Sequence, residues 1–429
     1  MKPKLRPVEA YPIQHQGQPM LLLRDPLRLS DTQIALPRPL APLLGLMDGS
    51  RDEAALEAAL LLRAGVRLAP GLLSRLLADL DGACLLDNER FVEARARALR
   101  AYREAPFRPL TTLDGSGTAA DPDQAAAWLQ GYMEALPPAA PRSNDRPIRG
   151  VISPHIDYQR GGPVYAEVWR AAAQAARAAE LVILFGTDHQ GSEGTVTLTR
   201  QSYATPWGVL PTDGQVVEEL ARALGEEAAF AEELHHRTEH SVELAAVWLH
   251  FVRDGRPVPV VPILCGSFGD FVAGQGDPAT HPPFAAALEV LRRTMASRQT
   301  LVVAAADLAH VGPAFGDPHG LDFIGRAQLR RADERLLQTI YAGDAAAFFE
   351  HLKAEGDRRH VCGLPPIYLT LRLLGQVSGE PAGYALCPAD PQGLSWVTVA
   401  GVVLYQVGAT GPAANGEGEL AVCSPGGRG

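Results

Sequence analysis

The sequence is poor in cysteine and contains no long hydrophobic segment. Its five cysteines are scattered along 429 residues, and an odd, dispersed set favours reduced thiols over a disulfide framework. No continuous apolar run is long enough to cross a bilayer, so the sequence predicts no membrane-spanning helix. No apolar segment follows the basic residues near the N-terminus. We therefore expect no secretory signal and a cytoplasmic location.

Positive charge is also in short supply. Thirty-nine Lys and Arg residues stand against 49 Asp and Glu residues, which gives a net charge of −10. This balance argues against nucleic acid or an anionic membrane as a partner. The sequence also lacks a phosphate-binding loop, a G-x-G-x-x-G turn, a G-x-S-x-G elbow and paired C-x-x-C knuckles. Nucleotide hydrolysis, dinucleotide cofactors and a structural zinc ribbon are therefore not expected.

The sequence divides by composition into four parts. Residues 1–95 are predicted to form a small domain, and residues 96–147 a linker that contains one helix at 124–136. From residue 148 to 408, apolar segments alternate with Ala-rich helical segments, as in a single α/β domain. Residues 409–429 have little apolar content, and we predict a disordered tail.

The N-terminal part is predicted to contain two helices followed by a hairpin. A capping-box pattern at Ser50-Arg-Asp-Glu53 predicts a helix over 51–62, and leucines at helical spacing predict a second over 70–80. Asp87-Asn88 would form the turn of a hairpin over 83–92. Helix, helix, hairpin is the order of a winged helix. The acidic balance favours peptide or partner docking over DNA binding.

The α/β part is predicted to contain a central sheet covered on both faces, because its strands are continuous apolar runs. The predicted strands are 148–153, 181–185, 258–264, 301–305 and 396–405. The predicted helices are 163–178, 214–224, 241–253, 284–295, 324–341 and 366–374.

Chemically active side chains follow the predicted interior strands. His155, His189 and Asp307 each come shortly after a strand, and His310 follows in the run Asp307-Leu-Ala-His310. Parallel strands would bring these groups to one sheet edge, where ligands bind in open α/β sheets. A single histidine would more simply be a core or capping residue. Two at equivalent strand ends favour metal ligation.

A further histidine segment precedes a predicted helix. Thr238 is expected to be the N-cap, which would place His240 and Glu243 in the first turn and keep the His240 ring neutral. His235 is expected to be a solvated loop residue. Cys265 and Cys362 are interpreted as plain buried thiols, although Cys362 could instead lie at a helix N-terminus, where a thiolate is favoured.

These blocks together resemble the Memo family, whose prokaryotic members are called AmmeMemoRadiSam system protein B. The matching blocks, in family order, are Ser153-Pro-His155-Ile-Asp-Tyr158, Gly186-Thr-Asp-His189, Glu239-His240-Ser-Val-Glu243, Val261-Pro-Ile-Leu264, Asp307-Leu-Ala-His310 and Cys362-Gly363. The resemblance implies the sandwich fold of class III extradiol dioxygenases, with a mostly parallel central sheet. It also implies partnership with a radical S-adenosylmethionine protein and an AMMECR-type protein. The first hundred residues more loosely resemble the PqqD-like winged helix, which captures peptides.

The resemblance also implies a metal site. His155 and His189 match two ligands, and His240 matches a histidine of the pocket. Some members carry a cysteine where this chain has Ala309, which leaves Asp307, His240 or His310 to complete the set.

The leading hypothesis for the site has His155, His189 and Asp307 as metal ligands, with His240, His310 and Glu243 as catalytic or proton-transfer groups. The metal would be divalent, with iron favoured and copper or zinc as alternatives, and the chemistry that of a non-haem oxidoreductase on a peptide or small molecule. The alternative is a non-catalytic scaffold with a degenerate crevice.

Overall fold

The computed structural model describes residues 2–111, 121–138 and 146–407. The predicted disordered tail over 409–429 and parts of the predicted linker therefore lie outside the described residues. The division of the chain into four parts stays a prediction. One helix runs through the boundary that we placed after residue 95.

The N-terminal unit contains a small antiparallel sheet followed by helices. Three strands pair in the order β1-β2-β3, and four helices follow. The elements are β1 (Glu9–His15), β2 (Gln18–Arg24), β3 (Ile34–Pro37), α1 (Pro42–Leu46), α2 (Glu53–Ala64), α3 (Leu72–Gly82) and α4 (Glu89–Glu104). A leucine-rich core joins them, with Leu23 and Leu36 from the sheet packed among Leu43, Leu56 and Leu80 from the helices.

The two predicted helices are confirmed as α2 and α3, but the hairpin is wrong. Residues 89–92 begin the long helix α4, and the Asn88 side chain caps it by accepting a hydrogen bond from the Phe91 N–H at 3.2 Å. Asn is favoured both at helix N-caps and in turns, so the sequence alone could not show which of these two roles Asn88 has. The cap of α2 is Asp52 rather than Ser50. The PqqD-like resemblance stays a prediction.

The α/β part is built on an eight-stranded mixed sheet. Its path runs β11-β13-β4-β10-β5-β9-β6, with β12 paired to β13. The four central strands are parallel to one another. The strands of this sheet are β4 (Ile148–Ser153), β5 (Leu181–Thr187), β6 (Val196–Leu198), β9 (Val260–Cys265), β10 (Thr300–Ala305), β11 (His310–Val311), β12 (Val377–Pro388) and β13 (Trp396–Gln406); β7 (Tyr203–Thr205) and β8 (Gly208–Leu210) form a separate hairpin. The predicted mixed α/β class, with a mostly parallel central sheet, is confirmed.

Helices cover the sheet on both faces. These helices are α5 (Pro122–Ala135), α6 (Tyr158–Ala178), α7 (Gly214–Leu224), α8 (Glu226–Phe230), α9 (Ser241–Val252), α10 (Gly269–Val272), α11 (Pro282–Ser297), α12 (Phe323–Tyr341), α13 (Ala345–Ala354) and α14 (Leu364–Leu374). One apolar core lies between the sheet and α7, α8 and α10 to α14, and a second lies between the sheet and α5, α6 and α9. No helix in the described ranges is both long and apolar enough to cross a membrane.

The segment that follows α4 is packed against the α/β part. Arg108 is fully buried, and its backbone pairs with that of Tyr203. Its guanidinium group donates hydrogen bonds to the carbonyl oxygens of His236 (2.7 Å) and Glu239 (2.8 Å) and forms an ion pair with Glu243. The predicted linker thus supplies a buried cation that joins the start of α9 to the loop before it.

Candidate metal centre

Three imidazole rings converge at the carboxyl edge of the sheet. His155 and His189 each lie two residues beyond the end of a parallel strand, β4 and β5 respectively, and His240 directly precedes α9. The ring centroids are 5.1 Å apart for His155 and His189, 5.4 Å for His155 and His240, and 5.0 Å for His189 and His240. One ring nitrogen from each lies within 4.8 Å of the other two. These three residues could therefore hold one metal ion.

Backbone and carboxylate acceptors fix the orientation of two of the rings. The Nδ1–H of His155 donates to the Ala305 carbonyl oxygen at 2.9 Å, and His189 Nδ1 lies 3.0 Å from Glu239 Oε2. In both rings Nδ1 is engaged, so Nε2 is the nitrogen that a metal ion would bind, in place of the proton that the raised pKa of each ring favours. An acceptor on the other ring nitrogen is the usual support of a metal-binding histidine.

Glu239 organises two of the three histidines. Its carboxylate accepts hydrogen bonds from the backbone N–H groups of His189 (3.1 Å), His240 (2.8 Å) and Ser241 (2.9 Å). Burial raises the pKa of Glu239, but the neighbouring His189 and His240 outweigh this and hold it well below its usual value. Burial lowers the pKa of His240 to about 4. His240 is thus neutral at pH 7, the form that a metal requires.

Cys362 lies beside this cluster and is hydrogen-bonded to two of its rings, His155 and His189. It lies in the loop before α14, and its Sγ is 3.3 Å from His155 Nε2. Burial raises the pKa of the thiol, but the charges of His155 and His310 and hydrogen bonds from His155 and His189 hold it well below its usual value. Our interpretation of Cys362 as a plain buried thiol is therefore wrong, whereas Cys265 is buried as expected.

Comparison with known proteins assigns the chain to a family. Residues 110–386, well over half of the chain, match the family described as Memo-like protein. The chain belongs to the Memo-like family. A MEMO1 family protein of Aquifex aeolicus is 27% identical over 413 residues, which cover 94% of this chain and all of that protein. A MEMO1 family protein of Methanopyrus kandleri is 27% identical over 275 residues, or 62% of this chain and 87% of that protein.

Asp307 and His310, two further residues of the predicted site, lie beside the cluster. Asp307 Oδ1 accepts a hydrogen bond from the backbone N–H of His155 at 2.8 Å, and its Oδ2 lies 3.7 Å from His155 Nε2. The His310 ring packs edge-on against Phe315. Burial lowers the pKa of His310, but the nearby Cys362 outweighs this and raises it above its usual value. Asp307 therefore supports the turn that carries His155. Its role as a ligand and that of His310 in proton transfer stay predictions.

Glu243 and Ala309 lie in surroundings other than the histidine cluster. The Glu243 carboxylate pairs with Arg108 and accepts hydrogen bonds from Thr111. These contacts give it a structural role, and its predicted role as a proton shuttle is untested. Ala309 packs with Val311 and Leu329 in a separate apolar group. Position 309 therefore belongs to this apolar group and not to the group of three histidines.

The loop before α9 differs from our expectations. His240 itself is the N-cap residue of α9, so the predicted cap at Thr238 is wrong. His235 is not a solvated loop residue, because its Nδ1 lies 2.8 Å from Asp188 Oδ2 and only 13% of its side chain is exposed. Asp188, Glu232 and His235 form a second group whose ligand atoms lie within 4.8 Å of one another.

His236 is expected to make the folded state sensitive to acid. Its buried ring accepts a hydrogen bond from the Tyr203 hydroxyl at 2.6 Å and donates one to the Thr197 carbonyl oxygen at 3.1 Å. Burial lowers its pKa to about 3, against ~6.5 in an unfolded chain. Below that unfolded value the unfolded chain binds a proton that the folded protein does not, so stability falls by about 1.4 kcal/mol per pH unit as the pH drops towards 3.

Denaturant unfolding between pH 7 and pH 4 tests this prediction. The His236→Gln variant should be less stable at pH 7, because it loses buried hydrogen bonds, yet its free energy of unfolding should fall less steeply with acidification. Parallel pH profiles for the two proteins would contradict a neutral, buried His236.

Two depressions border the histidine cluster and Cys362. One, of about 250 Å³, has walls that include Cys362, Phe268 and Leu364. The other, of about 120 Å³, is lined by His189 and His240 together with Glu9 and Arg28 from the N-terminal unit. Asp188 lines both. The larger depression therefore reaches the site at Cys362, and the smaller one reaches it at His189 and His240.

Proposed function

We propose that this Memo-like protein binds a single divalent metal ion with His155, His189, His240 and Cys362. The observation that carries the proposal is the convergence of three imidazoles, with the Cys362 thiol in contact with one of them, His155. The four residues come from four separate parts of the chain. Two donors on one tetrahedral ion, at ~2.0–2.3 Å from it, lie about 3.3–3.6 Å apart. The 3.3 Å between Cys362 Sγ and His155 Nε2 fits that spacing.

The donor set fits iron, copper and zinc. Imidazole suits all three metals, and thiolate favours the softer ones. We keep iron as the first candidate, with copper or zinc as alternatives and Asp307 as an alternative ligand. An iron or copper ion would supply redox or oxygen chemistry at these residues, whereas a zinc ion would supply Lewis-acid chemistry. Around the ion, Glu239 would hold His189 in place, and His310 would hold a proton beside Cys362.

We further propose a setting for this chemistry. The protein would act in the cytoplasm on a peptide or small molecule, together with the radical S-adenosylmethionine protein and the AMMECR-type protein of an AmmeMemoRadiSam system. Membership of the Memo-like family supports this setting. Co-purification with those two proteins from a cell that encodes all three would test it.

The metal content of protein purified without chelators tests the proposed site. We expect close to one metal ion per chain in the wild type and in His319→Ala, which removes an exposed histidine. His155→Ala combined with His189→Ala should reduce the content to a small fraction of that. Equal content in the wild type and the double variant would refute the site and favour the scaffold alternative.

A further inference from the structure

The smaller depression beside the metal centre is shared by two parts of the molecule. His189, Glu239 and His240 line it from the α/β part, and Glu9, Pro26 and Arg28 line it from the N-terminal unit. The three N-terminal residues belong to β1 and to the loop after β2. The N-terminal unit thus forms one wall of the pocket that reaches the histidines.

The loop that carries Arg28 is held rigidly from within the N-terminal unit. Asp25 is completely buried, and its carboxylate accepts hydrogen bonds from the backbone N–H groups of Leu27 (3.1 Å) and Leu29 (2.7 Å) and from the Arg6 side chain (3.3 Å). Arg28 has a φ of +51°. A non-glycine residue keeps that conformation only where its surroundings hold it.

The same loop is also held by the α/β part. Arg237, in the loop that precedes His240, donates hydrogen bonds through Nη2 to the carbonyl oxygens of Leu27 and Arg28, the second at 3.0 Å. The position of Arg28 is therefore coupled to the segment that carries His235 and His240. Contacts with both parts of the molecule therefore fix this loop as a wall of the pocket.

Arg28 is the cationic residue that the N-terminal unit contributes to the pocket, and its charge is only weakly paired. Its nearest ion-pair partner among the described residues is Glu9 at 4.0 Å, and 43% of its side chain is exposed. Glu9 already accepts a 2.7 Å hydrogen bond from Arg24. The other two carboxylates of the pocket are also engaged, Asp188 with His235 at 2.8 Å and Glu239 with His189 at 3.0 Å.

We propose that Arg28 binds an anionic group, a carboxylate or a phosphate, of a ligand that enters the pocket of the metal centre. A guanidinium group can donate two parallel hydrogen bonds to such a group. The inference deepens the proposed function and rests on it, because it assigns Arg28 to the ligand of that same site. It makes the N-terminal unit a contributor to ligand selection.

Titration calorimetry on the metal-containing protein tests the role of Arg28, with inorganic phosphate in one series and acetate in another. We expect the better-bound anion to lose at least about tenfold in affinity in Arg28→Ala, with an intermediate loss in Arg28→Lys. Arg38→Ala, which removes an exposed arginine from the same unit, should stay within about twofold of the wild type. Preference for phosphate or for acetate identifies the kind of anionic group.

Metal analysis of the same samples separates the two proposals. Equal metal content in all four proteins, together with equal anion affinity in the wild type and Arg28→Ala, would overturn the role of Arg28 alone. Failure of the metal-containing wild type to bind either anion would overturn it as well. A wild type without metal would instead refute the metal site on which the inference rests.

Discussion

Cys362→Ala is expected to weaken metal binding by at least about tenfold, since losing even a group that supports a ligand commonly costs ten- to a hundredfold. The thiol lies 3.3 Å from His155 Nε2, and its neighbours hold its pKa well below the usual value. A thiolate is the form that binds metal ions. Removing it would leave the three imidazoles, which can still hold an ion but less tightly.

Competition with a coloured chelator measures this affinity. Cys84→Ala is the control, because it removes a buried thiol from the N-terminal unit without touching the cluster, and it should bind metal as the wild type does. If Cys362→Ala kept wild-type affinity while His155→Ala lost it, the ligands would be histidines alone and our assignment of Cys362 would be wrong.

Arg108→Ala is expected to reduce the free energy of unfolding by about 3–5 kcal/mol. Arg108 and Glu243 are both fully buried, and the substitution would leave the Glu243 charge without this partner in a low-dielectric interior. It would also leave the carbonyl oxygens of His236 and Glu239 without the hydrogen bonds that Arg108 donates to them. The loop between those residues leads into His240, so metal binding should weaken as well.

Denaturant unfolding of the metal-free protein measures this loss. Arg293→Ala breaks an ion pair whose side chains are 63% and 71% exposed, and it should cost less than about 1 kcal/mol. Replacing the pair together, as Arg108→Met with Glu243→Leu, should recover part of the stability, because neither charge of the pair then remains buried. An Arg108→Ala protein as stable as Arg293→Ala would show that the buried pair does not hold this loop.

The central sheet was predictable because its strands are continuous apolar runs. β4 has the predicted bounds, and β5, β9, β10 and β13 differ from them by at most two residues at either end. β12 was not predicted. It contains glycine and proline and pairs with β13 alone, so neither hydrophobic periodicity nor composition marks it as a strand.

The metal centre was predictable only in part. His155 and His189 could be identified because parallel strands place their carboxyl ends at one edge. Cys362 could not, because a loop 207 residues further along the chain brings it to His155. The role of Arg108 could not be predicted either. It lies in a stretch rich in proline and threonine, and its ion-pair partner, Glu243, lies 135 residues further along the chain. Two signals for Cys362 were available in the sequence, its position just before a helix N-terminus and the Cys362-Gly363 block of the Memo resemblance.

Anomalous X-ray scattering from crystals of the metal-containing protein tests the central claim most directly. We predict one strong peak within about 2.0–2.3 Å of His155 Nε2 and His189 Nε2, with Cys362 Sγ and the His240 ring beside it. A peak held by Asp188, Glu232 and His235, with none among the three histidines, would contradict the account.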